Sequence, residues 1–200
     1  MLLHEHLENG ADKNPNFPFS EFEGNSLSYQ EANLLSNQLA NKLVSEGLEV
    51  GDRFAFLAKN CTEMAIMYYA ASKVGAVPVP LNYRLADQEW AYIINDSEAK
   101  LIIVKGNEYS DRINQISSEL KNVKKYISIS LDNSIEKFQD FYDWLSDSSN
   151  EKPTLKIHEN YDVYQMYTSG TTGHPKGAVL LQRNVAANIR QYLNSLTLPR

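Results

Sequence analysis

Three short apolar runs set the strongest constraint on the fold: Arg53–Ala58 (RFAFLA), Ala76–Pro80 (AVPVP) and Leu101–Val104 (LIIV). Each reads as a strand. LIIV is continuously apolar, as strands covered on both faces are. The prolines of AVPVP suit a strand near an edge or a strand end. Between the runs lie segments of helical character. Ser28-Tyr-Gln-Glu31 is a capping-box pattern; Ala32, Leu35, Leu39 and Leu43 then fall on one face, and Gly47 is placed to stop the helix. A second helix is predicted over 62–74, ending at Gly75, and a third over 87–95 with Trp90, Ile93 and Ile94 on one face. A fourth is predicted over 111–120, a strand over 126–130, and a short aromatic-rich helix over 138–145. Strands alternating with helices at this spacing give an α/β fold with a mostly parallel sheet flanked by helices.

The polar, proline-containing stretch SDSSNEKP opens a surface connection, taken as 146–162. It divides an α/β subdomain, 1–145, from a second part, 163–200. That second part is a strand at 163–167, a loop, a strand at 178–181, and a helix over about 183–193.

The loop, inside YTSGTTGHPKG (167–177), is the most informative stretch. Gly170, Gly173 and Gly177 place few restraints on the backbone and permit close approach of a ligand. Successive amides in such a loop can converge on an anion. Thr168, Ser169, Thr171 and Thr172 add hydroxyl donors, and Lys176 adds a point charge. The chemistry is that of a phosphate cradle. A ligand-free polar hairpin tip is the plain alternative, but the string S-G-T-T-G-x-P-K-G fixes eight positions. At ordinary residue frequencies a chance match at one site is on the order of one in a billion. A Walker A loop is disfavoured, because there the lysine directly follows glycine and opens a helix; here Lys176 follows Pro175 and a strand comes next.

Composition closes off other classes. A net charge of −6 opposes a phosphate-backbone nucleic-acid binder. The single cysteine, Cys61, excludes an internal disulfide framework and fits a reducing, cytoplasmic setting. The N-terminus lacks a basic and apolar leader pattern, and 65–81 is broken by Lys73, Gly75 and prolines, so no transmembrane segment is expected.

The loop string resembles the signature of the AMP-forming adenylate enzymes: acyl-CoA synthetases, nonribosomal-peptide adenylation domains and firefly luciferases. The resemblance extends upstream through Leu27–Glu31 (LSYQE), Val50–Arg53 (VGDR), Lys73–Asn82 (KVGAVPVPLN) and Trp90–Lys100 (WAYIINDSEAK), and is weakest over 107–158. It implies the N-terminal part of an AMP-binding domain over 1–200, in an enzyme that activates a carboxylate with ATP to acyl-AMP and then forms a coenzyme A thioester. It implies that Thr168, Ser169, Gly170, Thr171, Thr172, Gly173 and Lys176 bind the ATP phosphates, with Mg²⁺ sharing their charge. Fatty or similar apolar acids are the expected substrates. Alternatives are an amino-acid adenylation domain and a non-catalytic nucleotide-binding remnant. The beginning of the chain, with no carrier or condensation domain ahead of it, leans towards a stand-alone ligase.

Two positions depart from the family pattern. Gln182 stands where histidine is frequent, and it cannot titrate near neutral pH; a helix-start or local hydrogen-bonding role is expected. Ala86 stands where a capping threonine is usual, a loss of about 1 kcal/mol. Among other candidates, His4 and His6 lack a third ligand for a metal. His174 reads as exposed, Cys61 as a small buried or helix-start residue, and Trp90, Tyr92 and Trp144 as core. Catalytic groups, the ribose and adenine contacts and the acyl pocket are expected beyond Arg200. The 200 residues alone are therefore expected to give no ATP–pyrophosphate exchange; a measurable rate from the purified chain would contradict this.

Overall fold

The computed structural model describes residues 1–130, 135–168 and 173–195. Helix α1 (Leu3–Lys13) leads into a hairpin of β1 (Pro18–Phe22) and β2 (Asn25–Ser28), turned through Glu23 and Gly24, both at positive φ. Helix α2 (Tyr29–Ser45), β3 (Arg53–Leu57), α3 (Thr62–Val74), β4 (Val77–Leu81) and α4 (Asp87–Asp96) follow. Then come β5 (Leu101–Lys105), α5 (Asn107–Ile116), β6 (Lys125–Ile129), β7 (Phe138–Asp140) and α6 (Phe141–Leu145). The last elements are β8 (Asp162–Thr168), β9 (Lys176–Leu181) and α7 (Gln182–Ser195).

Strands β3 to β7 form a parallel five-stranded sheet in the order β4-β3-β5-β6-β7. Its side chains alternate between two cores. Phe54, Phe56, Leu101, Ile103, Ile127 and Ile129 join Leu39, Leu43, Ile66, Met67 and Trp144 beneath α2, α3 and α6. Ala55, Leu57, Ile102 and Val104 join Trp90, Ile93, Ile94 and Ile113 beneath α4 and α5. Two-sided burial is the reason RFAFLA and LIIV carry no polar face. β4, with Pro78 and Pro80, takes an edge of this sheet, where a missing amide breaks no ladder inside it.

The first helix boundaries follow the sequence closely. Ser28 Oγ accepts from the Glu31 amide (3.2 Å) while Glu31 accepts from the Ser28 amide (2.8 Å). At the other end Gly47, at positive φ, donates to Val44 O, and Leu48 donates to Leu43 O, a Schellman closure. α3 ends on left-handed Gly75, where an added Cβ would also crowd the methyls of Val50. Elsewhere the structure corrects the expectation. α5 starts at Asn107, after Gly106, rather than at 111, and gives way to a 3₁₀ turn at Ser117–Glu119. The predicted helix over 138–145 begins as a strand: Phe138–Asp140 pairs with β6, and Asp140 then caps α6 by accepting from the Tyr142 and Asp143 amides. α1 and the β1–β2 hairpin carried no sequence expectation.

The segment after α6 is tied to the polar face of α2. Asn37 donates to Asn150 O, Gln38 to Leu145 O, and Asn41 to Ser149 O and Glu151 O, while Lys42 pairs with Asp147 at 2.6 Å. Lys73, buried on α3, donates to the side-chain oxygens of Asn33 (2.6 Å) and Asn37 (2.5 Å). Burial pushes its pKa down to about 8.

A second buried network joins α1, α3 and the start of α7. The amide of Leu3 donates to Gln182 Oε1, that of His4 to Ser72 Oγ, and Gln182 Nε2 to Ser72 Oγ (2.9 Å). Two amides that open α1 are thus satisfied from other helices. His4 Nδ1 lies 2.9 Å from the same hydroxyl. Burial lowers the His4 pKa against the opposing pull of Glu8 and Glu5, and Lys73 and Lys152 lower it further. Unfolded, His4 binds its proton near its ordinary pKa; folded, only at lower pH. Its neutral form therefore stabilises the fold fully above about pH 6.5, and that contribution is lost as pH falls through the folded value. His6 shifts in the same direction. We expect denaturant-measured stability to fall from pH 7 to pH 5, with a shallower slope in His4→Gln; an unchanged slope would contradict the assignment.

Candidate functional site

β8 and β9 form an antiparallel hairpin in which Thr168 and Lys176 are the last opposed pair before the tip. Both are exposed, so a hydroxyl and an ammonium stand across from each other at its mouth. Gly173 has φ +113, a conformation L side chains rarely adopt, with open space where a Cβ would lie. These are the three described members of the predicted phosphate set. Ser169, Gly170, Thr171 and Thr172 lie outside the described residues.

The hairpin is anchored to the α/β body by a chain of side chains. β8 lies against β4. From it, Tyr167 donates its phenol proton to Asp96 Oδ2 at 2.6 Å and accepts from Gln165 Nε2 at 3.0 Å. Gln165 Oε1 accepts from Arg53 Nε (3.2 Å), and the Arg53 guanidinium also donates to Gly51 O and meets Asp162 at 3.4 Å. Burial and the Asp96 carboxylate together push the Tyr167 pKa up, so the phenol keeps its proton at all ordinary pH values. On the other side of the tip, His174 is exposed, as expected, but its ring stacks on Tyr92 of α4 with centroids 4.8 Å apart. Tyr92 is half-buried, packing against the core beneath α4 while its ring also meets the hairpin, whereas Trp90 and Trp144 are fully buried.

A concavity lies at the carboxyl ends of the parallel strands. The sheet order reverses between β3 and β5, the position where open α/β sheets bind ligands. A cavity of about 560 Å³ opens beside it, lined in part by Phe22, Leu27, Leu35, Glu63, Lys105 and Tyr142. Its lysine is already committed: Lys105 Nζ contacts both oxygens of Glu63, at 3.0 and 2.9 Å. Cys61 caps α3 next to it, half-buried, and burial with the nearby Glu63 charge raises its pKa to about 11, far from a reactive thiolate. Among the described residues no group of three His, Cys, Asp or Glu side chains gathers to hold a metal, and no helix is long and apolar enough to cross a membrane.

Comparison with known proteins gives the family of the chain. The profile of the AMP-binding enzyme family matches residues 7–198. The chain belongs to that family. It is 34% identical over 161 residues to the long-chain-fatty-acid–CoA ligase FadD13 of Mycobacterium tuberculosis, a match covering 80% of this chain and 30% of that protein. It is 29% identical over 185 residues to surfactin synthase subunit 2 of Bacillus subtilis, covering 92% of this chain and 5% of that one. Among solved structures, the inhibitor-bound N-terminal domain of FACL13 from Mycobacterium tuberculosis superposes with a TM-score of 0.85 at 27% identity, covering 98% of this chain and 48% of the other. The chain thus spans less than a third of the length of the FadD13 ligase it resembles.

Within this member of the family, one sequence reading changes and another is extended. Gly177 is not at positive φ. It sits on β9 opposite Tyr167, and an added Cβ would press on Gln165 Nε2 and come within 2.9 Å of Tyr167 Cζ. Its glycine serves the anchor of the hairpin, not the tip. Gln182 does begin a helix, but its side chain is fully buried and its hydrogen bonds run to Ser72 and Leu3 rather than to near neighbours. Sequence reading missed Arg53, Tyr92, Asp96 and Gln165 as parts of the site. No local signal joined Tyr92 to Asp96, which lies one residue past the end of the helix predicted over 87–95. Gly177→Ala is expected to destabilise the chain by about 1–3 kcal/mol through overpacking, measured by denaturant unfolding; an unchanged midpoint would contradict the contact.

Proposed function

We propose that this chain supplies the phosphate-binding part of an ATP-dependent, AMP-forming acid–thiol ligase, acting on fatty or similar apolar carboxylates. In the reaction, a carboxylate oxygen bonds to the α-phosphorus of Mg·ATP and the bond to the β-phosphate bridging oxygen breaks. Acyl-AMP and pyrophosphate result. The thiol of coenzyme A then attacks the acyl carbonyl, loses its proton and expels AMP. Such chemistry asks the protein chiefly to position the phosphates and to meet charge as it develops on the leaving pyrophosphate.

The observation that carries this reading is the facing pair of Thr168 and Lys176 at the hairpin mouth, with Gly173 in a glycine-favouring conformation beside them. The hydroxyl can donate to a phosphate oxygen and the ammonium can meet the charge of the β- and γ-phosphates. Ser169, Gly170, Thr171 and Thr172 complete the proposed cradle. Mg²⁺ would enter as part of the Mg·ATP substrate and would share the charge of its phosphates. Residues 1–200 then form the N-terminal part of the AMP-binding domain, with 163–200 as its phosphate-binding portion. An ATP- and CoA-rich reducing compartment such as the cytoplasm suits this chemistry.

Amino-acid activation is the second reading, supported by the similarity to surfactin synthase subunit 2. It requires an acidic partner for the substrate ammonium in the acyl pocket. A carboxylate panel separates the two: fatty acids, aryl acids and amino acids, read by carboxylate-dependent ATP–pyrophosphate exchange in the product of the complete reading frame. Exchange with apolar acids alone is expected; exchange with amino acids alone would favour the second reading. Lys176→Ala is expected to raise the KM for ATP about tenfold to a hundredfold, the scale of one hydrogen bond to a charged group. An unchanged KM for ATP would overturn the phosphate assignment.

A further inference from the structure

We propose that α4 is the positioning element of the phosphate loop, holding its two ends through Asp96 on Tyr167 and Tyr92 on His174. The proposal rests on the reading of Thr168–Lys176 as the phosphate site. Tyr167 directly precedes Thr168, and His174 lies two residues before Lys176. Their partners sit four residues apart on α4, hence on one face. A single rigid helix thus contacts both flanks of a segment that carries Gly170 and Gly173.

Glycine contributes little restraint of its own. A loop that must present amides and hydroxyls to a triphosphate loses conformational freedom on binding, and any restraint applied beforehand improves affinity. The described contacts supply that restraint at both ends. At the β8 end it is directional: a 2.6 Å hydrogen bond from a phenol to a carboxylate, a short charge-assisted type. That end is also linked through Gln165 and Arg53 to β3 of the parallel sheet. At the other end it is a near-parallel ring stack, 19° between planes. Neither Asp96 nor Tyr92 belongs to the loop, so both act through Tyr167 and His174.

Tyr167→Phe removes the phenol's bonds with Asp96 and Gln165 while the ring continues to pack against the core beneath α4. Kinetics of the full-length ligase are the test. Tyr167→Phe is expected to raise the KM for Mg·ATP about tenfold, with the carboxylate KM unchanged and thermal stability close to wild type. Asp96→Ala removes only the Asp96 bond and should reproduce most of that rise, and the double variant should be no worse than Tyr167→Phe, which already lacks that bond. Asp96→Asn keeps an acceptor for the phenol and should restore the wild-type value. A wild-type KM for ATP in Tyr167→Phe, or equal losses for both substrates together with a lowered melting temperature in all variants, would overturn the proposal. Lys176→Ala in the same series separates the two levels. If it raises the KM for ATP while Tyr167→Phe does not, only the positioning role fails. If neither variant changes it, the phosphate site fails and the positioning role falls with it.

Discussion

Burial of β3 and β5 on both faces is the constraint from which the rest of this structure follows. Their odd and even side chains enter different cores, so each strand must be apolar throughout and each face of the sheet must be roofed by helices. Parallel pairing requires crossover connections, here helices between β3 and β4, β4 and β5, and β5 and β6, and the order β4-β3-β5 places β4 at the edge. That edge is where β8 comes to lie. The hairpin bearing the proposed phosphate residues is therefore positioned by the same packing that makes the sheet.

The hairpin makes its polar contacts to the sheet through long side chains rather than through a shared ladder. Arg53, Gln165, Tyr167 and Asp96 form a continuous line from β3 to α4. Each member is at least half-satisfied by another, which makes a partly buried polar line tolerable. The result is a tip that is exposed, with exposed apolar residues such as Met166 (44%) and Val179 (41%) close to it on the same hairpin. A substrate-binding surface assembled with further polypeptide would use such residues.

Much of this was legible in the sequence where local chemistry decides structure. Ser28 with Glu31, Gly47 and Gly75 mark helix ends because capping and left-handed conformations admit few residue types. The apolar runs marked the sheet for the reason already given. α1 was less legible because Gly10 interrupts it; that glycine is needed where the Tyr29 ring packs on the helix. The start of α5 was missed because Gly106 gives no side-chain cap. Phe138–Asp140 was read as helix because its pairing with β6 is a tertiary choice, invisible to local periodicity. Of the proposed site, Thr168, Gly173 and Lys176 were named from motif chemistry. Tyr92 and Asp96 were not, since they lie some seventy residues upstream and acquire a role only once α4 meets the hairpin.

The central claim is that the hairpin tip, and not the crevice at the strand ends, receives the phosphates of ATP. Amide-resolved NMR of the folded chain titrated with magnesium pyrophosphate tests it most directly. The account predicts that the largest shift changes fall on Thr168, Gly173 and Lys176, with smaller ones on Tyr92 and Asp96. Saturable changes centred on Glu63, Lys105 and Ser130, with the hairpin unaffected, would contradict it.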